Sequence, residues 1–161
     1  MSRGFSVLMV CMGNICRSPT AEGVFRQVVH EAGLDDRIRV ASAGTHDYHV
    51  GGPADDRSTD HARRRGYDLS RHRARQVSAA DFGRYDLLLA MDHANFSLLQ
   101  EICPPGMEHK LELFMAFAPA GMGTVVPDPY AGGPQGFEAV LDQIEAASAG
   151  LLAHIRAEIG A

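Results

Sequence analysis

The chain alternates short, almost unbroken apolar runs with stretches in which apolar residues recur every three or four positions. The first kind suits strands covered on both faces, the second helices with one buried side. Residues 5–10 (FSVLMV) predict the first strand. The helix after it is expected to begin near Ser18, whose hydroxyl suits an N-cap, with Pro19 in the first helical position, where no amide donor is needed. Ala21, Val24, Phe25, Val28 and Ala32 keep helical spacing until Gly33 ends the run. A second strand is expected over 38–42, followed by a polar loop to about Pro53 and a helix over 57–65 that stops at Gly66. Residues 86–91 (DLLLAM) predict the third strand, and 93–102 a helix cut off by Pro104 and Pro105. A short strand over 111–114 and a long helix over 135–158 complete the series. Phe137, Val140, Leu141, Ile144, Leu151 and Ile155 line one face of that last helix.

Strands alternating with helices imply an α/β fold, a parallel sheet flanked by helices. Ligands of such sheets sit beyond the carboxyl ends of the strands. Cys11, Gly44 and Asp92 stand at three such ends.

A length of 161 residues suits one domain spanning the chain, large enough to hold its core without a disulfide or a metal. The net charge of −5 argues against non-specific nucleic-acid binding, which needs surplus Lys and Arg. The run 71–75 (RHRAR) is a local exception, read as a solvated basic face. No stretch is long and apolar enough to span a bilayer, and the initial apolar run is broken at Gly13 and Asn14, so neither a membrane segment nor a signal peptide is expected. Three unevenly spaced cysteines make no disulfide framework and fit reduced thiols in a cytoplasm. The eight histidines show no metal-ligand spacing; no metal or cofactor is expected.

The segment 11–18 (CMGNICRS) carries the chemistry. It joins a strand to a helix, so its amides can converge on one point and an anion there gains from the positive end of the helix dipole. Gly13 and Asn14 tolerate the positive φ that a loop wrapped round an anion requires. Arg17 offers a planar fork matched to two phosphate oxygens. Cys11 at the base of this cradle is expected to be a thiolate nucleophile, because such surroundings lower a thiol pKa from about 8.5 into the range of roughly 3.5–7.5. Ser18 is near enough in sequence to donate a hydrogen bond to it.

The stretch VCMGNICRSPTAEGVF closely resembles the signature of the low-molecular-weight protein tyrosine phosphatases. The blocks SAGT (42–45), HRARQ (72–76), LLLAMD (87–92) and DPY (128–130) resemble others of that family, in the same order over nearly the whole chain. The resemblance implies its three-layer, Rossmann-like or flavodoxin-like fold with a four-stranded parallel sheet. It implies hydrolysis of phosphotyrosine, on a protein or as a small aryl phosphate, through a phosphocysteine on Cys11. Arg17 and the amides of Met12, Gly13, Asn14, Ile15, Cys16 and Arg17 would bind the phosphoryl oxygens, with Ser18 beside them. Asp128, stiffened by Pro127 and Pro129, would be general acid and then general base. Asn14 would brace the loop through Ser18, Ser42 and His72. Tyr48 and Tyr130 would wall a slot deep enough for phosphotyrosine, with Ala131 standing where many members carry a second aromatic. Cys16 would form a reversible disulfide with Cys11. A phosphate or other oxyanion would occupy the loop, and a monomer or weak dimer is expected.

Two rivals use the same features. Arsenate reductases of this fold need a second pair of cysteines, whereas only Cys103 lies beyond the loop. A non-catalytic phosphoanion-binding module would lack Cys11, Arg17 or Asp128, all of which are present. A dithiol redox protein would leave Arg17 and Asp128 unexplained.

Overall fold

The computed structural model describes residues 4–129 and 133–161. Four strands, β1 (Phe5–Cys11), β2 (Ile38–Gly44), β3 (Leu87–Ala90) and β4 (Leu111–Leu113), form one parallel sheet in the order β2-β1-β3-β4. Five helices connect and cover them: α1 (Arg17–Glu31), α2 (Asp56–Arg64), α3 (Asp81–Arg84), α4 (His93–Ile102) and α5 (Gly133–Ile159). Two 3-10 turns, Glu108–Lys110 and Phe114–Phe117, flank β4.

The period of two along β1 sorts the core into two layers. Phe5, Val7, Met9 and Cys11 face one side, where they pack with Val24 and Phe25 of α1 and with Val140, Leu141, Ile144 and Leu151 of α5. Leu8 and Val10 face the other, with Phe82 of α3 and Leu99 of α4. All seven β1 residues are buried, which accounts for its almost unbroken apolar run. The apolar stripe of α5 is therefore spent on β1 and α1. Among the described residues no helix is long and apolar enough to cross a membrane.

From β1 the chain crosses to β2 on one side of the sheet and returns to β3 on the other. That reversal opens a crevice at the carboxyl ends of β1 and β3, where Cys11 and Asp92 stand.

Several boundaries differ from the sequence expectation. β1 runs one residue further, to Cys11, which pairs with Gly44. The first helix begins at Arg17, so Pro19 is its third residue; Cys16 occupies the cap position and makes no side-chain cap bond. β3 is trimmed to four residues, and Phe114 leaves β4 for a 3-10 turn.

Candidate active site

The loop after β1 wraps back on itself because nearly all its carbonyls are held from outside. The carbonyl of Cys11 accepts from Thr45 N (2.9 Å), that of Met12 from His46 N (3.0 Å), and that of Ile15 from Asp55 N (2.8 Å). The Asn14 carbonyl meets His72 Nε2 at 2.6 Å, and the Cys16 carbonyl accepts from Thr20 Oγ1 at 2.6 Å. In a trans peptide the next residue's N–H points opposite to the carbonyl. Outward carbonyls at 11, 12, 14, 15 and 16 thus turn the amides of Met12, Gly13, Ile15, Cys16 and Arg17 inward, beside the N-terminus of α1.

Two residues make this curl possible. Asn14 has φ 57°, the left-handed region that asparagine tolerates better than most side chains. Gly44 lets the loop lie against β2: a Cβ there would stand 2.7 Å from the Met12 carbonyl oxygen and 3.2 Å from Asn14 N.

The Asn14 side chain is fully buried, and both ends of its carboxamide are hydrogen-bonded. Nδ2 donates to Ser18 Oγ (2.8 Å) and to Ser42 Oγ (3.0 Å), while Oδ1 accepts from Arg75 N (2.9 Å). Ser18 Oγ lies 2.9 Å from Cys11 Sγ. The hydroxyl read as a helix cap instead faces the Cys11 sulfur and the Asn14 amide, and α1 starts without it.

Arg17 is only 4% exposed. Its Nη1 donates to Asp92 Oδ2 (2.7 Å) and to the Val126 carbonyl (3.1 Å). Asp92 has a second duty: its Oδ1 caps α4 by accepting from Asn95 N at 2.8 Å. Val126 N in turn donates to the Met91 carbonyl at 2.7 Å, and Gln143 of α5 holds the Val125 carbonyl at 3.1 Å. The loop that carries Asp128 is thereby tied to the end of β3, to Arg17 and to α5.

These elements enclose a cavity of about 240 Å³ lined by Cys11, Met12, Gly13, Ile15, Cys16, Arg17, His49 and Asp128. Asn14 and Ser18, read as contacting substrate, are buried behind the loop outside that lining. Tyr48 also lies outside it: the residue is 67% exposed and its ring stacks on His46, ring centroids 5.0 Å apart. His49, its neighbour, takes the wall position. Ser42 and His72 touch Asn14 as just described, and Tyr130 falls outside the described residues.

Burial raises the other two thiols above the ordinary range. Burial, the largest cause, pushes the Cys16 thiol up to about 12, with the charges of Asp55, Cys11 and Asp128 acting in the same sense. Cys103 is also raised by burial. Sequence reading gave Asp92 no role; its place at the end of the strand beside β1 was the available signal.

An acidic side chain, a guanidinium and a thiol around an anion-binding curl of amides can together bind a tetrahedral oxyanion, attack it and move a proton. Residues 6–160 match the family described as Low molecular weight phosphotyrosine protein phosphatase. The Low molecular weight protein-tyrosine-phosphatase of Streptomyces coelicolor is 43% identical over 158 residues, covering 96% of each chain. The crystal structure of a protein tyrosine phosphatase from Entamoeba histolytica, with Hepes in its active site, superposes with a TM-score of 0.91 at 38% identity, over 98% of this chain and 99% of that one. Vibrio vulnificus Wzb in complex with benzylphosphonate has a TM-score of 0.80 at 29% identity, over 93% of this chain and 98% of its own. With its loop, its sheet and nearly its full length shared with these proteins, the chain belongs to the low molecular weight phosphotyrosine protein phosphatase family.

Proposed function

We propose that this phosphatase hydrolyses phosphotyrosine, in proteins or as small aryl phosphates, in two displacements at Cys11. The observation that carries the reading is the convergence of Cys11, Arg17 and Asp128 on one cavity floored by inward amides. In the first step the Cys11 thiolate attacks phosphorus, the P–O bond to the aryl group breaks, and Asp128 protonates the departing phenoxide. In the second, Asp128 takes a proton from water, whose oxygen attacks phosphorus. The P–S bond breaks and returns inorganic phosphate and the thiolate. The amides of Met12, Gly13, Ile15, Cys16 and Arg17 and the Arg17 guanidinium hold the equatorial oxygens as charge spreads over them.

The choice of an aryl ester rests on the walls and the rim. Met12 and His49 border the cavity, and Tyr48 and Val50 extend an exposed apolar rim beyond it. An aromatic ring fits between such walls, and a relative of this fold binds benzylphosphonate, a phosphonate one carbon from a ring. Cys16, which shares the lining with Cys11, is the proposed partner in a reversible disulfide after oxidation of the nucleophile.

The test is steady-state hydrolysis of para-nitrophenyl phosphate and a phosphotyrosyl peptide, with acid-quenched protein searched for phosphocysteine by mass spectrometry. Cys11→Ser abolishes turnover and the adduct while phosphate still binds. Turnover at the parental rate in Cys11→Ser would overturn the mechanism.

A further inference from the structure

We propose that Glu22 is a positioning residue for the nucleophile: by taking the Ser42 proton it sets the direction of a hydrogen-bond chain that ends on the Cys11 sulfur. This rests on the reading of Cys11 as a thiolate nucleophile.

Glu22 lies on α1, one turn beyond Ser18. Its Oε1 is 2.6 Å from Ser42 Oγ, and its other carboxylate oxygen pairs with Arg26. An ionised carboxylate only accepts, so the single Ser42 proton is committed to Glu22. Ser42 then faces Asn14 purely as an acceptor, and the amide end of Asn14 must turn toward it, at 3.0 Å. The same Nδ2 fills the Ser18 oxygen at 2.8 Å with a donated proton. The Ser18 proton is left to choose between Cys11 Sγ at 2.9 Å and the Ala43 carbonyl at 3.5 Å, and the shorter contact takes it. Donation thus runs from Asn14 both ways, through Ser42 to Glu22 and through Ser18 to Cys11.

Were the Asn14 carboxamide reversed, its oxygen would capture the Ser18 proton and the sulfur would lose its donor. Two locks oppose that reversal. One is Arg75 N–H on Oδ1; the other is the Ser42 oxygen, which repels a reversed Oδ1 as long as its proton stays on Glu22. Removing the carboxylate frees that proton to greet the reversed amide and leaves one lock.

Charge and hydrogen bonding act in opposite senses here, and this makes the inference testable by sign. Glu22 borders a polar cavity of about 220 Å³, which Arg26 on its own helix and Asp68, Arg71 and His72 from the loop after α2 also line. Around the sulfur stand Arg17, Asp128 and, through Arg17, Asp92. Through space, the Glu22 charge disfavours an anion on Cys11. Its loss would therefore ease ionisation if charge alone mattered, and hinder it if the network matters.

The experiment follows iodoacetamide alkylation of Cys11 against pH, read by peptide mass, in the parental protein, Glu22→Gln and Glu22→Ala. Thermal unfolding and the kcat and KM for para-nitrophenyl phosphate are recorded in parallel. Loss of one lock is expected to move the alkylation profile of Glu22→Ala to higher pH and slow reaction at neutrality by about 3- to 10-fold, the range of one net hydrogen bond. kcat should fall with it and KM change little. The near-isosteric Glu22→Gln, which guards against a mere folding defect, should fall between. Profiles unmoved or moved to lower pH in both variants would overturn the positioning role while leaving the nucleophile intact. An ordinary, unreactive Cys11 in the parental protein would overturn the thiolate reading itself, and this role with it.

Discussion

Asp92 Oδ2 lies 2.7 Å from Arg17 Nη1, and the same carboxylate caps helix α4 through Asn95 N. One side chain therefore joins the end of β3, the start of α4 and the guanidinium proposed to grip the phosphoryl group. Losing it aims Arg17 differently and uncaps a helix, two effects that separate by choice of substitution. Asn is as good an N-cap as Asp but carries no charge. Asp92→Asn should unfold within a few degrees of the parental protein yet lose about 10- to 100-fold in kcat/KM, the scale of a catalytic group misplaced by an ångström. Asp92→Ala should add a stability loss of about 1 kcal/mol for the cap. Aryl phosphate kinetics with thermal melts check both, and an Asp92→Asn enzyme of full activity would detach Arg17 from this carboxylate.

Asn14 combines a left-handed backbone with a carboxamide hydrogen-bonded at both ends, and the two contributions can be measured apart. Asn14→Gly keeps the conformation and deletes the network; Asn14→Ala deletes the network and adds a Cβ that resists positive φ. The alanine variant should be the less stable by about 1–2 kcal/mol, the cost of the left-handed region for a residue with a Cβ. Both should lose most activity, because Ser18 and the loop are no longer braced. Denaturant unfolding ranks the pair; equal stabilities would mean that the strain at Asn14 is negligible.

The parts of the fold that the chain announces are those governed by local pattern. β1 is legible because it is apolar on both faces, and α5 because its buried residues recur at helical spacing over 27 residues. Cys11 and Arg17 stand out because one seven-residue segment, 11–17, contains both. Asp92 is not, because its partner is 75 positions away and only the adjacency of β1 and β3 brings them together. The α1 boundary is hidden for a related reason: Ser18 is a good cap by local rules, but its oxygen accepts from the Asn14 amide at 2.8 Å and its proton faces the Cys11 sulfur at 2.9 Å. That His49 rather than Tyr48 lines the cavity is not legible, because a loop has no side-chain periodicity to say which of two neighbours points inward. Helix α3, four residues long, offers too few positions for any periodic signal.

Gly44 sits where β2 ends and the loop after β1 passes over it. An added methyl would stand 2.7 Å from the Met12 carbonyl oxygen and 3.1 Å from Asn14 Cβ, both parts of the curl itself. The strand cannot give way easily, since Gly44 is paired to Cys11 on one side and bonded to Arg75 and Val77 on the other. The loop must move instead. Gly44→Ala is expected to weaken phosphate binding and lower kcat/KM by about 100-fold, the cost of an ångström's displacement of catalytic groups. Phosphate inhibition constants and aryl phosphate kinetics provide the measurement, and parental values for both would show that the loop absorbs the methyl.

Stability should fall on the alkaline side, through two groups that keep their protons in the folded chain. Burial pushes the Cys16 thiol up to about 12, and burial with a 2.5 Å hydrogen bond to Glu145 pushes the Tyr67 hydroxyl up to about 12. In the unfolded chain they ionise near the ordinary values of 9.0 and 10.0. Between those values and about 12 the folded protein binds more protons than the unfolded one, so raising the pH favours unfolding. Their contribution is whole below pH 9 and is lost progressively as pH climbs toward 12. Tyr67 joins Arg65 and His61 in fastening α2 and the turn after it to Glu138 and Glu145 of α5, so the loss loosens the helix that holds the Asp128 loop. Thermal midpoints measured from pH 7 to 11 should decline above about 9, and a Tyr67→Phe, Cys16→Ala double variant should decline less steeply despite a lower midpoint at pH 7. Parallel slopes for the two proteins would place the alkaline sensitivity in other groups.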